Sequence, residues 1–124
     1  FYERGIFERE HAERVLRAAA AAGFALNFHG DELHAMHSGV LARDVGARAV
    51  SHCEHVDAAD IAAMAPTTAP ERPPIFGVLL PTTAYVLRIT PPPARQMLDG
   101  GVPIALGSDF NPNAHCLSMP ATMN

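Results

Sequence analysis

Four short apolar runs each end on polar residues, and helix-forming sequence lies between successive runs. They are FALNF (24–28), ending at His29; ARAVSH (47–52), ending at His52; IFGVLL (75–80), ending at Pro81-Thr82-Thr83; and VPIALGSD (102–109), ending at Asp109. The ends at 29, 52, 81 and 109 are separated by 23, 29 and 28 residues. Continuous apolar strands alternating with helices imply a parallel sheet covered by helices. Right-handed crossovers would put all four C-terminal strand ends on one edge, where α/β folds bind ligands. The fold class expected is α/β, and the repeat fits part of a (β/α)8 TIM-type barrel. A full barrel takes about 250 residues, so 124 residues would supply roughly its second half. A small doubly wound four-strand domain also satisfies the periodicity.

Residues 7–22 are rich in Ala, Glu, Arg and Leu, which favour helix, with Val15, Leu16 and Ala19 on one face and Gly23 as the stop. A weaker amphipathic pattern covers 33–45 and closes at Gly46. Asp57 is a good N-cap for a helix over 57–65. A further helix over 91–101 enters through proline and leaves through glycine. Residues 66–74 carry four of the eleven prolines, so this stretch is expected to be an exposed surface loop or insertion. Residues 1–124 form one unit in this reading.

Composition narrows the function classes. Nine Lys and Arg against 13 Asp and Glu give a net charge of −4, which does not suggest a nucleic-acid surface. No apolar stretch reaches membrane-spanning length, and no signal peptide is evident. Cys53 and Cys116 lack CxxC spacing, so a reduced, cytoplasmic protein is the default expectation. The first residue is Phe, and SMPATMN carries no helix-stop glycine. Both ends look cut, and a piece of a longer chain is expected.

Acid and imidazole groups recur at three of the four strand ends: His29 with Asp31 and Glu32, then His52, then Asp109 with Asn111. Imidazole and carboxylate suit Zn2+ or iron. A catalytic metal takes about three or more protein ligands and an open position at which water becomes nucleophilic. Glu32, three residues after His29, could move the proton. The bland alternative is a set of polar strand ends facing solvent. GSDFNPN (107–113) could present amide and backbone groups to a small polar ligand, or could be an ordinary Asx-turn. Of the other histidines, His34 and His37 are expected as a surface pair on a helix, His11 as solvated, and His55 as a loop residue. His115 and Cys116 either reach the site or pack, and no base accompanies Cys116 to make it a nucleophile. Met64, Met97 and Met119 are expected to fill core gaps.

NFHGDELH, AVSHCEHV, LLPTTAYVLR and ALGSDFNPNAHCLSMP together resemble the imidazolonepropionase family of amidohydrolases, in its animal-type version, over nearly the whole chain. The resemblance implies strands five to eight of the barrel. It implies a metal-dependent (Zn2+, Fe2+ or Fe3+) hydrolase of histidine degradation, opening 4-imidazolone-5-propanoate to N-formimidoyl-L-glutamate. His29 then matches the metal ligand after the fifth strand and Asp109 the ligand after the eighth. Glu32 matches a substrate contact that helps activate water. His52 matches a group facing the ring oxygen or the attacking water, and Asn111 a product contact. Asn113 and Ala114 fall at substrate-contact positions where bacterial members carry Gly and Thr. The resemblance also implies a small-molecule substrate, no nucleic acid or membrane partner, and a homodimeric parent protein.

Two features depart from the family pattern. The proline-rich segment is longer than expected before the seventh strand. No HxH pair occurs in the 124 residues, whereas amidohydrolases supply one from the first strand, so an inactive partial site is expected for this chain alone. The alternatives are another amidohydrolase, such as a deaminase or cyclic amidase, and a metal-free α/β binding module.

Overall fold

A computed structural model describes residues 1–69 and 71–123. The elements run α1 (Arg9–Ala21), β1 (Asn27–Gly30), α2 (Ser38–Val45), β2 (Ala49–His52), α3 (Ala58–Met64), β3 (Phe76–Leu79), α4 (Pro81–Leu87), α5 (Ala94–Asp99), β4 (Ile104–Leu106) and α6 (Met119–Met123). The four strands form one parallel sheet in the order β1-β2-β3-β4. Neighbours in sequence are neighbours in the sheet, the arrangement of a partial (β/α) barrel. In register, Phe28 pairs with Val50, Val50 with Gly77, and Gly77 with Ile104. These residues face the helices, where Leu41, Met64, Ile75, Met97 and Val102 are fully buried. Burial of that kind is worth roughly 1.5–3 kcal/mol per large apolar side chain.

Local signals explain most boundaries. Gly23 and Gly46 adopt left-handed backbone just after α1 and α2, a conformation that costs glycine nothing. Asp57 caps α3, accepting from the Ala59 and Asp60 amides, while Asp60 reaches back to the Asp57 amide. Arg43 donates to the Ala63, Ala65 and Pro73 carbonyls. It thereby satisfies the C-terminal end of α3 and anchors the proline-rich loop. The described residues of 66–74 form no helix or strand; Pro70 lies outside them.

Several expectations need correction. The helix anticipated over 33–45 begins only at Ser38. Asp31, fully buried with φ of +54°, accepts from the Met36 and Ser38 amides and the Ser38 hydroxyl. Those bonds hold 31–37 as a loop, so His34 and His37 do not form a helical pair. Residues 81–87 and 119–123, unassigned from sequence, are helical. The helix over 91–101 shrinks to Ala94–Asp99, because Pro91 and Pro92 each precede another proline, which disfavours helical backbone at both. Val15 and Met119 are exposed rather than packed, while Met64 and Met97 are buried as expected. Before α1, Tyr2 bridges in parallel to Gly30, with its amide donating to the His29 carbonyl. The first residues therefore extend the sheet beyond β1.

Candidate active site

The C-terminal strand ends converge on one cavity of about 650 Å³. His29 and Glu32 follow from β1, His52 from β2, Thr83 from the start of α4, and Asp109, Asn111, Asn113 and Ala114 from the loop after β4. Phe1, Leu33 and Leu87 complete the lining. All seven residues singled out in the sequence thus border the same space. Thr83 was seen only as a polar strand end, and the three apolar lining residues gave no signal at all.

The two imidazoles meet edge to face, with His29 Nδ1 3.2 Å from His52 Nε2 and ring centroids 4.8 Å apart. Burial holds the pKa of His29 below its ordinary value, His52 adds repulsion, and Asp109 offsets part of this. His29 is therefore a neutral imidazole near neutral pH, the form that a metal requires of a ligand. At His52 burial acts in the same direction, but the Glu54 and Glu32 carboxylates outweigh it and raise the pKa. Glu32 Oε2 stands 3.5 Å from His52 Nε2. Burial raises the Glu32 pKa; His52 opposes that rise, and repulsion from Glu54 and Asp109 reinforces it. A carboxyl shifted upward in this way holds a proton more readily than an ordinary glutamate and can hand it on.

His52 and Cys53 are consecutive non-glycine residues with positive φ, +80° and +67°. Left-handed backbone at such residues persists where surrounding bonds enforce it. Here the Cys53 amide donates to the Gly30 carbonyl, and the His55 amide to the Asp31 carbonyl. Strand alternation would leave His52 on the helix side of the sheet with Val50. The left-handed turn accompanies its placement at the cavity. Burial also raises the Cys53 thiol far above its usual range, so it is no nucleophile.

Asp109, at φ +50°, accepts 2.7 Å from the Thr83 hydroxyl through Oδ2. Asn111 is consumed by its own loop. Its side-chain Nδ2 donates to the Asp109 carbonyl, and its Oδ1 accepts from the Asn113 and Ala114 amides. The Asx-turn reading of NPN therefore describes the backbone. It also means that the Asn113 and Ala114 amides already have a partner. His115 is exposed beside Phe110, His11 is exposed, and His55 is half-buried. His34 Nδ1 contacts Glu3 at 2.8 Å, away from the cavity lining.

His29 and Asp109 fit a metal by donor chemistry, one neutral imidazole and one carboxylate facing a shared space. They are two donors where a catalytic metal takes about three. Among the described residues, the one cluster of three His, Asp or Glu groups with ligand atoms within 4.8 Å is His37, Asp57 and Asp60, at the starts of α2 and α3. The capping bonds of α3 already account for both of its acids.

All 124 residues align with proteins named probable imidazolonepropionase. Identity is 57% in Dictyostelium discoideum, 54% in Nematostella vectensis and 48% in Homo sapiens. The chain is homologous to the imidazolonepropionases. It spans about 28% of the length of these curated relatives. No family model matches it. Among the described residues, no helix is long and apolar enough to cross a membrane.

Proposed function

We propose that this chain supplies one part of the active site of an imidazolonepropionase. The enzyme would open the ring of 4-imidazolone-5-propanoate to N-formimidoyl-L-glutamate in histidine degradation. The observation that supports this reading is the convergence of His29, Glu32, His52, Asp109 and Asn111 on one cavity. They lie on the sheet edge where α/β enzymes bind substrate.

His29 and Asp109 would hold Zn2+ or iron. Such a metal supplies Lewis-acid polarisation and a water activated near neutral pH. The chain's own residues do the rest. Glu32 takes a proton from the attacking water and returns one to the departing ring nitrogen, a role suited to its raised pKa. His52 stands against the attacking water, from which its Nε2 can accept a hydrogen bond. Asp109, with Oδ2 fixed by Thr83, keeps its remaining oxygen for the metal or for a proton. The Asn111 turn shapes the wall facing the substrate's polar groups. In this reading the protein works in the cytoplasm as a homodimer, on a small molecule.

Two arms test the reading. A protein carrying this chain within the full length of its relatives should hydrolyse imidazolone propionate in preference to aminated purines or pyrimidines. Preferential deamination would replace the assignment with a deaminase. The 124-residue chain alone should show no turnover and only weak Zn2+ binding by calorimetry, lost in His29→Ala. Substantial hydrolysis by the chain alone would overturn the partial-site reading.

A further inference from the structure

Beneath His52 lies a carboxylate that the reaction described above does not use. The Glu54 side chain is wholly buried, and neither of its oxygens has a hydrogen-bond partner among the described residues. The third buried side-chain atom in that condition is His52 Nδ1. The two groups are 3.7 Å apart, within ion-pair range and beyond a formed hydrogen bond. A buried carboxylate without a donor is costly. The imidazole N–H is the donor at hand, and a small rotation of either side chain closes the gap.

We propose that Glu54 is a positioning residue for His52. It accepts a hydrogen bond from Nδ1–H, fixing the tautomer and ring orientation that leave Nε2 as an acceptor facing the cavity. Three observations support this beyond the distance. The left-handed turn at His52 and Cys53 returns the chain so that Glu54, two residues on, lies behind the ring. That turn is bonded to the end of β1 through the Cys53 and His55 amides, so the carboxylate is held rather than swinging. On the opposite side of the ring, Nε2 faces His29 Nδ1 at 3.2 Å and Glu32 at 3.5 Å. An Nε2 lone pair can accept from a donor there, whereas the other tautomer would aim a free lone pair at a buried carboxylate. A carboxylate behind a histidine ring is a general device for setting which nitrogen acts. The bearing on catalysis rests on the hydrolase reading; the hydrogen bond itself does not.

The test is long-range 1H–15N correlation NMR of the histidine-labelled 124-residue chain at mildly alkaline pH. Wild type and two variants are compared, Glu54→Gln and Glu54→Met. Wild-type His52 should carry its proton on Nδ1. Glu54→Gln, which keeps an acceptor, should retain that tautomer. Glu54→Met, which fills the space without one, should lose the preference. An Nε2–H tautomer in the wild type overturns the proposal, whether or not either variant folds. So does an unchanged Nδ1–H tautomer in folded Glu54→Met. A merely space-filling role for Glu54 would leave the tautomer unmoved across all three proteins. Because no turnover is measured, failure here is separate from failure of the imidazolone assay.

Discussion

At the scale of single residues, the site depends on side chains fixed by bonds the reaction does not consume. Thr83 is buried, and its hydroxyl donates to Asp109 Oδ2. Replacing it with Val keeps the shape and removes the donor, leaving one carboxylate oxygen without its partner. Thr83→Val should lower the stability of the chain by about 1–2 kcal/mol, measured by urea unfolding, while Thr83→Ser recovers most of the loss. Equal stability of Thr83→Val and wild type would show that the bond contributes nothing. Glu3 plays a comparable part at the other edge. It is buried, and it accepts from the Leu33 amide at 2.9 Å, from the Arg4 amide and from His34 Nδ1. Burial pushes its pKa up, but these donors outweigh burial and bring it below the ordinary value. The sign follows. A carboxylate with a depressed folded pKa stabilises fully above its unfolded pKa, about 4.3. That contribution disappears as pH falls through the lower folded value. Glu3→Gln should therefore be less stable than wild type at neutral pH, and the two unfolding curves should converge in strong acid. A gap that persists there would rule out a charge-linked role.

At the scale of elements, close approach decides what the sequence may change. Gly39 in α2 lies against α3, where an added Cβ would meet the Asp60 carbonyl oxygen at 2.7 Å and its Cα at 2.8 Å. Backbone cannot yield without separating the helices. Gly77 in β3 would place a Cβ 2.5 Å from the terminal methyl of Met97, and a methionine end can move aside. Gly39→Ala should cost about 1–3 kcal/mol, and Gly77→Ala clearly less, by thermal unfolding. The reverse order would place the tight packing in the wrong layer. Elements also show what was legible beforehand. Each of the four strands was readable from an apolar run, although β1 starts only at Asn27 and runs through His29 to Gly30 rather than filling 24–28. The start of α3 was readable because Asp57 carries its capping signal in the sequence. The late start of α2 was not readable, since it depends on buried Asp31 gathering three donors from residues five to seven positions away. The same limit applied to Glu54. Its proximity to His52 is created by two left-handed residues, and nothing in SHCEHV announces them. His29, His52 and Asp109 could be picked out because each closes an apolar run, so chain position alone put them on the binding edge.

At the scale of the whole molecule, the described residues cover the sheet with helices on one face only. Phe28, Val50, Gly77 and Leu79 meet the helices, while Asn27, Ala49, Phe76 and Ala105 alternate onto the other side. Parallel sheets ordinarily have both faces covered, because their strands are apolar on both. Here Phe76 is 47% exposed in mid-sheet. His29 lies on this open side, so the candidate cavity and the bare face adjoin. A contiguous apolar sheet face binds hydrophobic dyes that scattered surface residues do not. The folded chain should therefore enhance the fluorescence of such a dye without loss of its circular dichroism signal. Phe76→Lys should remove most of that enhancement. Tyr85→Lys is the control, because Tyr85 is more exposed, at 84%, yet lies on α4 outside the sheet. If both variants reduce dye binding equally, the signal comes from general surface hydrophobicity, and the open face has no special part in it. If only Phe76→Lys does so, the apolar surface left by helices on one side alone is located. The same face then borders the space into which His29 and Asp109 project.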